Sequence, residues 1–201
     1  VLATGAQSEI HELDVSSISA CRAAVAAVIT RFGKLDVLCN IAGIFMSRRL
    51  TEIEEEEWQR MIAINLNSVF YLSQAAMPHL IESKGNIVNM ASTAGLVGQI
   101  YNAMYCATKG AVVMLSKSMA VEYARSGVRV NAVCPGGVNT PLSDSFSLPE
   151  NPDMDLFMRL MPLLDIAEAD EIAAAVAYLA SEEARYVTGT AFTIDGGQTA
   201  N

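Results

Sequence analysis

Tyr105 and Lys109, four residues apart in the run YCATK, are of the right types and spacing to move a proton. Residues at i and i+4 of a helix are neighbours, so the Lys109 ammonium is expected close to the Tyr105 phenol. An unperturbed phenol has a pKa of about 10 and is a poor acid or base near neutrality, but an adjacent cation favours its ionised form. Ser92, in IVNMASTAG, stands where a strand should give out into a loop. Its hydroxyl is placed to orient a carbonyl or an alcohol whose oxygen gains or loses the proton. Asn65 falls with Asn67 and Ser68 in the middle of a helical stretch, three poor helix formers where Leu or Ala would cost less. A local distortion is expected there.

The elements that must hold these residues alternate between short apolar runs and amphipathic stretches, the pattern of βαβ units and a parallel sheet. Strands are expected near 8–14, 35–39, 86–91, 128–134 and 191–195, with helices near 17–32, 54–81, 105–125 and 168–181. The run VLCNIAG is apolar on both faces, as a central strand covered by helices should be. Thr51 and Glu54 form a capping-box pattern, and the acidic run 54–57 suits the positive end of a helix dipole better than a metal. Segment 141–165 holds Pro141, Pro149, Pro152 and Pro162, which discourage long helices. Its methionines, Met154, Met158 and Met161, offer adaptable apolar surface, and a lid over an apolar ligand fits that composition.

Composition narrows the function. The 201 residues suit one domain, 1–201, with a substantial core. A net charge of −9 and a pI of 4.7 argue against nucleic acid, whose phosphates call for clustered Lys and Arg. Hydrophobic residues make up 52%, yet no apolar run approaches the ~20 residues of a membrane span. There is no secretory leader pattern at the start. Cys21, Cys39, Cys106 and Cys134 lack zinc-ligand spacing and the density of a disulfide scaffold; they read as buried thiols in a reducing, cytoplasmic compartment. His11 and His79 form no triad or metal pattern.

In order along the chain, LDV at 13–15, LCNIAG at 38–43, INLNSVF at 64–70, IVNMASTAG, YCATK, VRVNAVCPGGVNTP at 128–141 and VTGTAFTIDGG at 187–197 resemble the motifs of the classical short-chain dehydrogenase/reductase family. The resemblance implies a Rossmann-like, doubly wound parallel sheet flanked by helices and an oxidoreductase passing a hydride between NAD or NADP and a secondary alcohol or ketone. It gives Tyr105 the part of general acid or base and Ser92 that of hydrogen-bonding the substrate oxygen. Lys109 would lower the tyrosine pKa and bind the nicotinamide ribose, and Asn65 would bend its helix and fix a water leading to the lysine. For the cofactor it implies Asp14 and Val15 at the adenine, Asn40, Ala42 and Gly43 near the adenosine ribose, and Pro135, Gly136, Val138 and Thr140 around the nicotinamide. It implies association into a homodimer or homotetramer. Ile41 departs from the pattern, where the family's usual motif has a second asparagine.

The Gly-rich turn that opens a dinucleotide-binding βαβ unit does not occur in the 201 residues. ATGAQSE at 3–9 reads instead as a helix end and the turn before strand 8–14. On this alignment relatives carry roughly 50 further residues upstream, an N-terminal βαβ portion. Taken alone, the chain is then expected to bind dinucleotide poorly and to expose strand 35–39 as an apolar edge. The competing expectation is a catalytically silent protein that acts only through subunit association.

Overall fold

In the computed structural model, residues 5–144 and 146–200 are described. Four parallel strands, β1 (Val37–Asn40), β2 (Asn86–Met90), β3 (Arg129–Pro135) and β6 (Ala191–Ile194), form one sheet in the order β1-β2-β3-β6. β4 (Val138–Asn139) and β5 (Ala167–Glu168) make a second, two-stranded parallel pair. The helices are α1 (Ile18–Phe32), α2 (Glu55–Ile62), α3 (Ser68–Ser83), α4 (Ala103–Tyr123), α5 (Pro141–Asp144), α6 (Met154–Met158) and α7 (Ala169–Ala180).

Successive strand residues point to opposite faces, and both faces of the sheet are apolar. Ile87 and Val130 join Val25 of α1, Ala76, Met77 and Leu80 of α3, and Met119 and Ala120 of α4 in one buried cluster. Ala132 and Cys134, two and four residues beyond Val130, face Val69, Val112 and Val113 on the same side. Val88 and Val133 turn the other way, onto Ile172 and Leu179 of α7. Helices therefore cover the sheet from both sides.

Local chemistry sets the helix ends. Ser17 caps α1, its Oγ accepting from the Ala20 amide at 3.3 Å, and Gly33, at φ 76°, closes it with its amide on the Ile29 carbonyl. The capping box expected of Thr51 and Glu54 lies three residues later, between Glu54 and Glu57, because residues 50–52 form a 3₁₀ turn of their own. The helix expected at 54–81 is two helices joined by the π-helical segment Ala63–Asn67. Segment 141–165 is more regular than its prolines suggest. Pro141 opens α5, where a missing N–H is harmless, and Asp153 caps α6 by accepting from the Leu156 amide at 3.0 Å.

Residues 8–14 are not a strand. Ile10 is 96% exposed, and Asp14 turns back to accept from the Ser16 amide and hydroxyl at 3.0 and 2.7 Å. A strand exists through its ladder, and no described residue pairs with this segment. The ATGAQSE run at 3–9 lies partly outside the described residues; Gly5 within it has a left-handed φ of 71°. β1 pairs only with β2 among the described residues, leaving Cys39 and Ile41 exposed near its outer edge.

Candidate active site

Ser92 follows β2 and starts a 3₁₀ turn (Thr93–Gly95), its Oγ accepting from the Ala94 amide at 3.1 Å. Gly95 brings that turn against α4: a Cβ there would meet the Lys109 carbonyl oxygen at 2.6 Å, so only glycine allows this approach. Tyr105 lies in the first turn of α4, near enough to Ser92 for that side chain to act on its titration. Lys109, one turn on and 3% exposed, holds Nζ 5.6 Å from the Tyr105 ring centroid and donates to the Met90 carbonyl at 2.8 Å. Ser92, Tyr105 and Lys109 are thus brought together as their spacing predicts.

Electrostatics modify that expectation. Burial pushes the Tyr105 pKa up to about 12, with the Ser92 side chain acting against it. Burial pushes Lys109 down to about 8, and the Cys134 thiol acts the other way. The expected lowering of the phenol by the ammonium is not found: desolvation dominates, and Ser92 is what acts against it. At neutral pH the site rests with Tyr105 protonated and the ammonium still mostly charged.

Asn65 lies in the π-helical segment, 1% exposed. Its Nδ2 donates to the Ile44 carbonyl at 2.9 Å and its Oδ1 accepts from the Ile44 amide at 2.8 Å. One amide side chain thereby clamps the loop leaving β1. The same loop holds Gly43, where an added Cβ would lie 3.3 Å from Asn65 Oδ1 and 3.5 Å from Lys109 Nζ. A side chain there would crowd both polar atoms.

Beside Ser92, Tyr105 and Lys109 opens a cavity of about 1140 Å³. Ala42, Gly43, Pro135, Gly136, Val138 and Thr140 line it, as their cofactor assignments require, and so does Ile41. Asp14, Val15 and Asn40 do not. Asp14 is bonded to Ser16. Asn40 is turned into the protein, where Nδ2 donates to Asn89 Oδ1 at 2.8 Å and to Ser73 Oγ at 3.3 Å. Its side chain serves the core network, extended by Asn89 Nδ2 donating to Ser116 Oγ.

Sequence reasoning missed several wall residues. Phe45 packs edge-on to Tyr105 at 4.9 Å, and Phe146 and Phe157 continue the aromatic row at 5.8 and 5.6 Å. Thr93, Gln99, Asn102 and Gln198 form a polar strip in an otherwise largely apolar lining. Phe146, Phe157 and Gln198 carry no motif, and only the tertiary fold brings them here. Gln99 and Asn102 lie between Ser92 and Tyr105, and that proximity was the one available signal.

Open α/β sheets bind ligands in a crevice outside the carboxyl ends of their strands, and Met90 to Thr93 after β2 and Pro135 to Val138 after β3 border this cavity. Such a site on such a sheet defines a Rossmann-like α/β protein. Sequence comparison narrows the class: the family model described as enoyl-(acyl carrier protein) reductase matches residues 1–199. Meso-2,3-butanediol dehydrogenase of Serratia marcescens is 38% identical over 100% of this chain and 78% of its own length. The 3-oxoacyl-[acyl-carrier-protein] reductase FabG of Thermotoga maritima is 37% identical over 93% of this chain and 75% of its own. The solved structure "ElxO with NADP Bound" superposes with a TM-score of 0.85 at 32% identity, covering 96% of this chain and 79% of that one. The chain belongs to the short-chain dehydrogenase/reductase family of oxidoreductases.

Proposed function

We propose that the protein reduces a ketone to a secondary alcohol, or reverses that reaction, with NAD or NADP. The observation that carries the reading is the meeting of Ser92, Tyr105 and Lys109 on one wall of the cavity. A bound nicotinamide supplies or accepts the hydride. The residues present suit it: an ammonium has three donors, Lys109 uses one on Met90, and the others fit ribose hydroxyls. Gly136 borders the cavity with its backbone packed on Asp195, where a Cβ would meet the Asp195 Cα at 2.9 Å.

In reduction Ser92 Oγ orients the carbonyl oxygen and Tyr105 Oη gives it a proton, so that one hydride and one proton convert C=O to CH–OH. A phenol resting protonated is poised for this direction. In oxidation Tyr105 must first lose its proton, with Lys109 Nζ 5.6 Å from its ring centroid. Burial on the apolar wall excludes competing water. The reading is tested by incubating the protein with NADH or NADPH and a panel of ketones and following nicotinamide absorbance. Ketone-dependent oxidation is expected with one of the two cofactors. Its absence across a panel spanning small, cyclic, steroid and acyl ketones counts against it.

Segment 141–165 is read as the lid. Phe146 stacks on Phe45 and Phe157 stacks on Phe146, and Arg49 Nη2 donates to the Glu150 and Asn151 carbonyls at 2.6 and 3.0 Å. Amides in this segment are expected to exchange with solvent faster than those of β2, β3 and α4, and to slow when cofactor and substrate analogue bind. Protection equal to the sheet without ligand would rule the lid out. Phe70 on α3 and Met114 and Val121 on α4 are exposed, which supports association into a homodimer or homotetramer, measurable by light scattering. Four free cysteines suit the reducing cytoplasm.

A further inference from the structure

Three phenyl rings extend from Tyr105 along one wall of the cavity. Phe45 meets the Tyr105 ring edge-on at 4.9 Å, and Phe146 and Phe157 follow in turn, each inclined by only 20° and 22° to the ring before it. Centroid steps of 5.8 and 5.6 Å between near-parallel rings mean that they overlap in part, as offset stacks do. Each ring therefore keeps some of its face uncovered by the next. All three border the cavity and none is fully buried: Phe45 and Phe157 are half-buried, and Phe146 is 37% exposed. A row of π faces offers a ligand contacts that an aliphatic wall of the same bulk does not.

The rest of the lining narrows the ligand from the other side. Lys109 is the one charged side chain among the described residues that border the cavity, and it already donates to the Met90 carbonyl. A charged substrate finds no further counter-ion there. The polar strip is engaged with itself: Gln198 Nε2 donates to the Leu160 carbonyl, Thr93 Oγ1 to Gln198 Oε1, Gln99 Nε2 to Thr93 Oγ1 and Asn102 Nδ2 to Gln99 Oε1. Asn102 Oδ1, which accepts from none of them, is buried out of reach of the cavity. A polyhydroxylated substrate would have to break these bonds or leave its own hydroxyls unmatched, and either is costly.

We propose that the substrate is an uncharged aryl ketone, or the corresponding aryl alcohol, whose aromatic ring lies against the row of Phe45, Phe146 and Phe157 while its oxygen meets Ser92 and Tyr105. This assignment rests on the oxidoreductase reading above. Because the Phe45 ring lies 4.9 Å from that of Tyr105, a group bonded directly to the reacting carbon already reaches the first ring of the row. Phe146 and Phe157 then carry the preference outward, and they are the specificity-determining residues. The hydride and the Tyr105 proton convert the carbonyl to a secondary alcohol and leave the aromatic ring unchanged.

The test compares 1-phenylethanone, 1-cyclohexylethanone and butan-2-one, the first two similar in apolar bulk and different in their π face. With the whole chain and its reduced cofactor, kcat/KM for 1-phenylethanone is expected to exceed that for butan-2-one by about 10- to 100-fold. Joint substitution Phe146→Leu and Phe157→Leu keeps an apolar wall and removes two π faces. It is expected to lower the ratio of kcat/KM for the phenyl over the cyclohexyl ketone by about three- to ten-fold, with butan-2-one little changed. Comparing that ratio between the two proteins cancels the different intrinsic reactivities of the carbonyls. Either single substitution serves if the double variant does not fold, and nicotinamide fluorescence confirms that each variant retains its cofactor site. A ratio unmoved by the substitutions, or a kcat/KM for 1-phenylethanone no greater than that for butan-2-one, overturns the aryl assignment and leaves the oxidoreductase reading standing. If none of the three is turned over, ligand-induced thermal stabilisation decides. Greater stabilisation by 1-phenylethanone than by 1-cyclohexylethanone, narrowed in the variant, upholds the aryl site and counts against the redox reading; equal stabilisation overturns the assignment.

Discussion

Tyr105→Phe is expected to lower turnover by at least about 10²-fold, and by up to about 10⁴-fold, while leaving cofactor affinity within a few-fold. The substitution deletes one hydroxyl. The ring remains to pack edge-on against Phe45, and Lys109 keeps its bond to the Met90 carbonyl, so neither fold nor dinucleotide site loses its main support. What goes is the hydroxyl beside Ser92, and with it the proton that the proposed mechanism gives to the carbonyl oxygen. Single-turnover rates with reduced cofactor give the measurement. Activity above a tenth of wild type would remove Tyr105 from the mechanism.

Lys109→Met is expected to damage binding and chemistry together. Methionine roughly conserves the buried bulk but carries no charge and no donor. Cofactor affinity should fall by about ten-fold or more through lost hydrogen bonds to a charged group. The pH dependence of the oxidation rate should change as well, because Lys109 beside the phenol sheds its charge near pH 8 in the wild type, whereas methionine carries none at any pH. Stability provides an independent check. The folded-state pKa of Lys109, about 8, lies below its ordinary 10.5, so between those values the unfolded chain binds more protons than the folded one. Wild-type stability should therefore gain from this group as pH rises from about 8 to 10.5, by up to about 3 kcal/mol. Denaturant unfolding of Lys109→Met should lack that component, and identical pH–stability profiles for the two proteins would show that Lys109 is not held in a depressed state.

Much of the candidate site was legible because its geometry is local. The i, i+4 pair of Tyr105 and Lys109 needs only a helix, and the place of Ser92 needs only the end of an apolar strand. The break at Asn65 announced itself through poor helix formers, and the π-helical segment is its structural form. Expectation failed where a residue's state depends on distant parts of the chain. Residues 8–14, expected as a strand, find no ladder, and Asn40, a motif residue, is engaged by Asn89 and Ser73 in the core. The Tyr105 pKa was misjudged because pair spacing shows the neighbouring charge and not the depth of burial. Gln198 reaches Thr93 across 105 positions, a closeness that no spacing rule contains.

The π-helical segment between α2 and α3 also acts on rotational phase. The Ser68 amide reaches back five residues to the Ala63 carbonyl instead of four, and each residue of an α-helix advances the azimuth by about 100°. One residue of slack here therefore turns everything downstream by about that angle relative to a straight continuation. Upstream, Met61 aims at Met104 and Tyr105 in the candidate site; downstream, Ala76, Met77 and Leu80 aim at the sheet. A single straight helix of the same composition could not serve both targets. Chain length between 63 and 67 is thus itself a coded quantity: removing one residue could leave a well-bonded helix whose α3 stripe no longer faces the core.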